Sequence, residues 1–513
     1  VQLAVVLVVG IRRVFFWISA SLLLASPPLS PFQRGLQRPP LWEAMAQASD
    51  QTENGKNRLR VYLSVLRNAI ERNAKKWSEQ RMIGYPMNTK DTAQLLEVRA
   101  MIMEKFTVLN NCLDPFDNED SHWKNHSLTQ EKHLVMELSR RFLPQASDPM
   151  LEGVWGHVTA GGSESNLLGV KLACDHFRID ANRAASTLVL YTDAAHHSVP
   201  KTVRAQMRLP CCSVPVRKDG TVDEAEMAVT IRVAKRMHYR DFICVLTLGT
   251  TFHGAIDDPR RIKQIIHEEM PEARVYIHLD AALHGGFYDV CTRKYEAPKF
   301  VLGKDMNSVS ISMHKWFGGA ICSLFITTQT IQPDADRDTS YISYLGSVDR
   351  AMSCSRDGFN APLWLARLAQ FDWDAEYDLA RQHVVYALDR FRALDIPAWC
   401  HEHSVIIVFP APSLSTCSQW QLATSGGLAH MVVVPSVARR DLIDEFFAHL
   451  LRHSDVDVMK SRQLVYDDSG WAAVATGLPP DDPNKLRGAI PADPSKAKTL
   501  VPYQPSAGGV IRL

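Results

Sequence analysis

The 513-residue chain carries almost no net charge, +1 with histidine neutral. No basic stripe runs through it, which argues against a nucleic-acid or acidic-surface partner. Its ten cysteines are scattered, with Cys211-Cys212 the only close pair. No CxxC or Cys/His cluster has zinc spacing, so no metal site is indicated. The thiols are read as reduced, in a cytoplasmic protein. Neither a GxxxxGKS loop nor a GxGxxG loop is present, so ATP and NAD are not indicated. No internal repeat is found.

What is present suits a globular enzyme-sized protein. With 46% hydrophobic and 22% charged residues, the chain can bury a sizeable core in two or three domains. Residues 1–25 are apolar apart from Gln2, Arg12-Arg13 and two serines. A signal peptide or signal anchor is one reading, and the Pro-rich stretch 26–40 speaks against it. A polar run opens at Met45, which is the expected functional start. Residues 1–44 are therefore set aside from the fold, and no membrane partner is expected.

Apolar positions at Val61, Leu63, Val65, Leu66, Ala69 and Ile70 predict an amphipathic helix within 57–77. Gly84-Tyr85-Pro86 reads as a turn, and helices follow near 91–106 and 128–143. From 151 to 330 short apolar runs (187–191, 242–248, 274–279, 320–327) alternate with helical stretches (164–178, 223–237, 259–269). Such alternation predicts an α/β layer with a largely parallel, buried sheet. Residues 328–360 are polar and read as a mobile loop. A helix near 362–394, strands at Val405–Phe409 and Met431–Val434, and a helix at 440–452 make a smaller α+β unit. Residues 475–513 read as a disordered tail.

Four pieces carry chemistry. Lys315 follows the alternating run 307–313, and burial there would lower its pKa and leave an amine able to form a Schiff base. Gly161-Gly162-Ser163 precedes a helix, whose first amides and dipole favour an anion. Asp280 ends a strand before two alanines, a place where a buried carboxylate needs a cation. His196 follows a strand and could stack on an aromatic ring. Each alone has an ordinary reading: a snorkelling lysine, a capped glycine turn, a helix cap, a structural histidine. Together they match the aldehyde, phosphate, ring nitrogen and ring face of pyridoxal phosphate.

With these pieces in order, the chain resembles the group II pyridoxal-phosphate amino-acid decarboxylases, above all their histidine and serine decarboxylase branch. The stretches that carry the likeness are Gly84-Tyr85-Pro86, Asn110-Asn111, Trp155 to Asn166, His196-His197-Ser198-Val199, Leu248 to Thr251 with Gly254 to Asp258, Asp280-Ala281-Ala282, Ser312-Met313-His314-Lys315 and Ser355-Arg356-Asp357-Gly358. Val408-Phe409-Pro410 and Leu422 to His430 extend it into the smaller unit.

The resemblance implies fold type I, with a large domain built on a mostly parallel seven-stranded sheet and a smaller C-terminal α+β domain. The expected division is 1–44 leader, 45–106 N-terminal helical segment, 107–360 large domain, 361–455 small domain and 456–513 tail. It also implies a homodimer with sites at the subunit interface. Lys315 would bind the cofactor covalently, Asp280 would pair with the ring nitrogen and His196 would stack on the ring. Ala282 would lie beneath the ring, Gly162, Ser163, Thr250 and His314 would surround the phosphate, and Ser312 would also bind the cofactor. Tyr344 would protonate the substrate carbon. The implied reaction is α-decarboxylation of an L-amino acid, with L-histidine to histamine first and L-serine to ethanolamine second. An aminotransferase, a lyase or a non-catalytic cofactor-holding protein stays open. The sequence departs from the family at His197, at Trp316 to Cys322 and at Cys354 and Asp357, near the expected pocket.

Overall fold

The computed structural model describes residues 63–72, 81–106, 109–116, 126–143, 153–179, 184–331, 341–342, 347–462, 464–465 and 473–474. The chain divides into two units, Val1–Glu79 and Gln80–Leu513. In the first, residues 63–72 are helical, inside the stretch whose periodicity predicts a helix.

The second unit is built on seven strands: β1 (Val154–Thr159), β2 (Thr187–Thr192), β3 (Cys211–Val214), β4 (Asp241–Thr247), β5 (Arg274–Asp280), β6 (Ser308–Ser312) and β7 (Ser323–Thr328). They lie in the order β1-β7-β6-β5-β4-β2-β3. Strands β3, β2, β4, β5 and β6 pair in parallel, and β7 runs antiparallel to both β6 and β1. Helices cover both faces, so strand residues are apolar on both sides and read as unbroken hydrophobic runs. Val189, Tyr191, Ile243 and Val245 pack on one face against Val170, Ala173 and Phe177 of helix α3 (Gly162–Phe177). Leu188, Leu190, Phe242 and Cys244 pack on the other against Met227 and Ile231 of α4 (Glu224–Arg236) and Ile262 and Ile265 of α5 (Pro259–Glu269). Local sequence starts these helices. Asp223 caps α4 through the amides of Ala225 and Glu226, and Asp258 caps α5, whose first residue is Pro259.

Preceding the sheet are α1 (Ala93–Lys105) and α2 (His126–Ser139). After it, the helix expected near 362–394 is two: α6 (Asn360–Gln370) and α7 (Trp373–Ala393). Asp372 makes the break, because its carboxylate caps a new helix through the amides of Asp374 and Ala375. The same unit adds a second, smaller sheet of β8 (Ile406–Pro410), β9 (Thr424–Ser425) and β10 (Leu428–Val432), antiparallel in the order β8-β10-β9. Helix α8 (Arg440–Arg452) closes it, with Phe391 of α7 lying 4.6 Å from Phe409 and 4.7 Å from Phe447 between ring centres. Strand β3 escaped the sequence reading because it is a four-residue edge strand. Among the described residues no helix is long and apolar enough to cross a membrane.

Candidate active site

Parallel pairing of β2, β4, β5 and β6 brings their carboxyl ends to one edge of the sheet. Two antiparallel steps, β6 to β7 to β1, turn β1 the same way. The sequence-derived residues lie on the segments leaving that edge. Asp280 is the last residue of β5, His196 follows β2, Thr250 follows β4, and Gly162 and Ser163 follow β1. Lys315 and His314 sit on a helical turn, Met313–Trp316, directly after Ser312 of β6.

Asp280 is 4% exposed. One carboxylate oxygen accepts from Asn166 Nδ2 at 2.8 Å and the other from the Ala282 amide at 3.1 Å. No salt bridge among the described residues reaches it. Lys315 is half-buried, and no hydrogen bond among the described residues engages its amine. Burial lowers its pKa, and the negative charge of Asp280 opposes that shift. The amine is therefore easier to deprotonate than an ordinary lysine, as a nucleophile requires.

His196 Nδ1 lies 2.8 Å from Ser198 Oγ and accepts from the Ser198 amide at 3.3 Å. Its proton therefore sits on Nε2. Burial first, then the positive charge of Lys315, pull its pKa down to about 4, against the pull of Asp280. A neutral imidazole results. The adjoining His197 ring is exposed, with its centre 4.0 Å from that of His196.

At the start of α3 the amides of Gly162 and Ser163 have no acceptor among the described residues, whereas those of Glu164 and Ser165 bond to the Gly161 carbonyl. A Cβ on Gly162 would stand 2.9 Å from Ser312 Oγ, so glycine allows this helix end to approach β6. Thr250 is fully buried, and its hydroxyl oxygen accepts from the Ala255 amide at 3.0 Å, leaving its own proton to donate. His314 donates from Nδ1 to the Cys322 carbonyl at 2.9 Å, which leaves Nε2 for another partner. Two amides, two hydroxyls and an imidazole can therefore meet an anion at this edge.

Tyr344 lies outside the described residues. The sequence reading missed the groups that hold these side chains in place: Asn166, Ser198, His278, Ser308 and Ser310. Two signals could have found them. His278 precedes Asp280 by two residues and so shares its face of β5. The serines of β6 alternate on one face, and the register sets Ser308 opposite His278 and Ser310 opposite Asp280.

Residues 126–357 match the pyridoxal-dependent decarboxylase conserved domain. The chain is 30% identical over 368 residues to a histidine decarboxylase of Pseudomonas entomophila, covering 71% of this chain and 84% of that one. A histidine decarboxylase of Klebsiella aerogenes is 31% identical over 383 residues, covering 72% and 93%. Among solved structures, L-methionine decarboxylase from Streptomyces sp. 590 with L-methionine methyl ester superposes with a TM-score of 0.64 at 20% identity, covering 78% of this chain and 95% of that one. A sphingosine-1-phosphate lyase of Burkholderia pseudomallei gives 0.62 at 17% identity, covering 79% and 92%. These structural likenesses establish the fold-type-I architecture, and the sequence relatives establish the chemistry. The protein is a carboxy-lyase that uses pyridoxal 5'-phosphate, and the chain belongs to the pyridoxal-dependent decarboxylase family.

Proposed function

We propose that this enzyme removes the α-carboxyl group of L-histidine to give histamine and carbon dioxide. The observation that carries the choice of substrate is the alignment with histidine decarboxylases of several bacteria over more than four-fifths of their length. The donor set fits the cofactor. Among the described residues Asp280 is a buried carboxylate without a salt bridge and Lys315 an amine without a hydrogen bond, two groups that the cofactor would complement.

The bound cofactor supplies an electron sink for the electron pair left when the carboxylate departs. Lys315 would hold the cofactor through its aldehyde carbon, its amine made the nucleophile by the lowered pKa. The Asp280 carboxylate would face the ring nitrogen and accept its proton in a hydrogen bond. The neutral His196 ring would lie on the ring face without adding a competing positive charge, and Ala282 would leave room beneath. Gly162, Ser163, Thr250, Ser312 and His314 would hold the phosphate. Tyr344 would deliver the proton to the α-carbon. Tyr344→Phe should then cut histamine formation while cofactor binding persists; equal rates would remove Tyr344 from the reaction.

The assembly proposed is a cytoplasmic homodimer with its sites at the subunit interface. Its support is apolar surface: Leu96, Met101, Met103 and Phe106 of α1 and its end are 54%, 54%, 60% and 40% exposed, and Ile321 is 65% exposed. The deciding assay for substrate is release of carbon dioxide and amine from a panel including L-histidine and L-serine. Histamine as the main product supports the proposal. Ethanolamine would favour a serine decarboxylase, a keto acid an aminotransferase, and no product from any amino acid a non-catalytic role.

A further inference from the structure

Asn166 lies in the second turn of α3 and is 1% exposed. Its amide nitrogen donates to Asp280 Oδ2 at 2.8 Å and to Ser198 Oγ at 3.2 Å. Its carbonyl oxygen accepts from His278 Nε2 at 3.1 Å and from Ser310 Oγ at 3.1 Å. A side-chain amide has two donor hydrogens and two acceptor lone pairs, and here all four are engaged. A carboxylate oxygen accepts and the Ser310 hydroxyl donates, so the nitrogen faces Asp280, the oxygen faces Ser310 and the amide has one orientation.

Each arm continues. Ser198, accepting from Asn166, keeps its own hydrogen for His196 Nδ1 at 2.8 Å. On the other side Tyr276 donates to Ser308 Oγ at 3.0 Å, and Ser308 donates to His278 Nδ1 at 2.9 Å. His278 is fully buried, and burial pulls its pKa down to about 4, so it carries one proton, on Nε2, and gives it to Asn166. A directed chain therefore runs Tyr276, Ser308, His278, Asn166 and then divides to Asp280 and, through Ser198, to His196. Every link up to the half-buried His196 is a buried polar group with a defined direction, the condition under which such networks rigidify a site.

We propose that Asn166 is the positioning residue of this site, whose single amide holds the ring-nitrogen partner Asp280 and the ring-face partner His196 in one fixed relation. The inference rests on the cofactor site proposed above and not on the identity of the substrate. Asn166 acts through Asp280 and His196. Removing it frees Asp280 to turn and leaves His278 and Ser198 each with an unmet partner.

The test uses the full chain, stripped of cofactor and titrated with pyridoxal phosphate, as the native protein and as Asn166→Ala and Asn166→Asp. Absorbance reports the affinity of the lysine-bound cofactor and the pH midpoint of its band, while far-ultraviolet circular dichroism reports folding. Asn166→Ala should bind the cofactor roughly 10- to 100-fold more weakly, as when groups that orient metal ligands are removed, and should shift the pH midpoint. Asn166→Asp has the native shape but sets a second carboxylate against Asp280, so it should bind more weakly still. A role in packing alone predicts the reverse order, with the same-sized Asp tolerated better than Ala.

Native-like affinity in Asn166→Asp, or an unchanged affinity and midpoint in Asn166→Ala, would overturn the proposal. Should both variants fail to fold, Ser198→Ala and Ser310→Ala each remove one arm with little change of volume. The first should shift the pH midpoint and the second should weaken cofactor binding; two native-like titrations would overturn the proposal equally. No amino-acid substrate is added, so a wrong substrate assignment leaves every one of these readouts in place.

Discussion

Arg356, in the motif Ser355-Arg356-Asp357-Gly358, offers the sharpest stability test. Its Nη2 donates to both carboxylate oxygens of Glu131, at 3.1 and 3.0 Å, and to the Leu113 carbonyl at 3.1 Å. The two side chains are 5% and 1% exposed. Glu131 also accepts from Asn111 Nδ2 at 2.6 Å and from the Val158 amide of β1 at 2.7 Å. The pair thus ties α2, β1 and the segment before α6 together. Burial raises the pKa of Glu131 even against the pull of Arg356. Arg356→Met removes the charge that opposes Glu131 among the described residues and should cost about 3–5 kcal/mol, the usual penalty for leaving one buried ion unpaired. Spread over the described residues between 81 and 474, an unfolding entropy of roughly 2 cal/mol/K per residue turns that into a fall in Tm of about 4–7 °C. The double variant Glu131→Gln, Arg356→Met leaves no charge behind and should recover at least ~2 kcal/mol of the summed single losses. Differential scanning calorimetry of the cofactor-loaded proteins measures both. A native Tm for Arg356→Met, or strictly additive losses in the double variant, would refute the reasoning.

Two further substitutions probe the sheet edge. Gly249 has φ +88, and a Cβ there would lie 1.9 Å from Nδ1 of the buried His284 ring. Gly249→Ala should therefore destabilise by about 2–5 kcal/mol through backbone strain and overpacking beside Thr250, and an unchanged Tm would contradict that. Asp257 is fully buried, accepts from the Thr247 amide at 2.9 Å, and has its pKa raised by burial to about 7. A carboxyl raised in the folded state contributes stability that is complete at low pH and lost as pH rises from roughly 4 towards 7. Asp257→Asn should therefore gain on the native protein as pH rises through that window, and a Tm difference independent of pH would dismiss the protonated carboxyl.

The fold was legible where burial on both faces leaves a long apolar run. Strands β2, β4, β5 and β7 and helices α3, α4 and α5 lie within a few residues of their expected places, and the alternating serines announced β6. The four-residue β3 has too little pattern to read, and the cap at Asp372 is a local signal that a continuous helical periodicity masks. The candidate site was legible at the residues proposed to face the cofactor, because Lys315, Asp280 and the Gly161-Gly162 turn lie at the ends of recognisable elements. Their supports were not. Asn166, Ser198 and Ser310 are ordinary polar residues in sequence, and only the register of β5 with β6 and the packing of α3 bring them to Asp280. Arg356 shows the same limit: it lies within the stretch that matches the family, yet its partner Glu131 is set by tertiary structure.

The central claim is that the cofactor is held covalently at one lysine. Borohydride reduction of the purified protein followed by peptide mass mapping tests it directly. The account predicts a single reduced pyridoxyl-phosphate adduct on the peptide carrying Lys315, absent from Lys315→Ala. An adduct on another lysine, or the same adduct pattern in the variant, would contradict it.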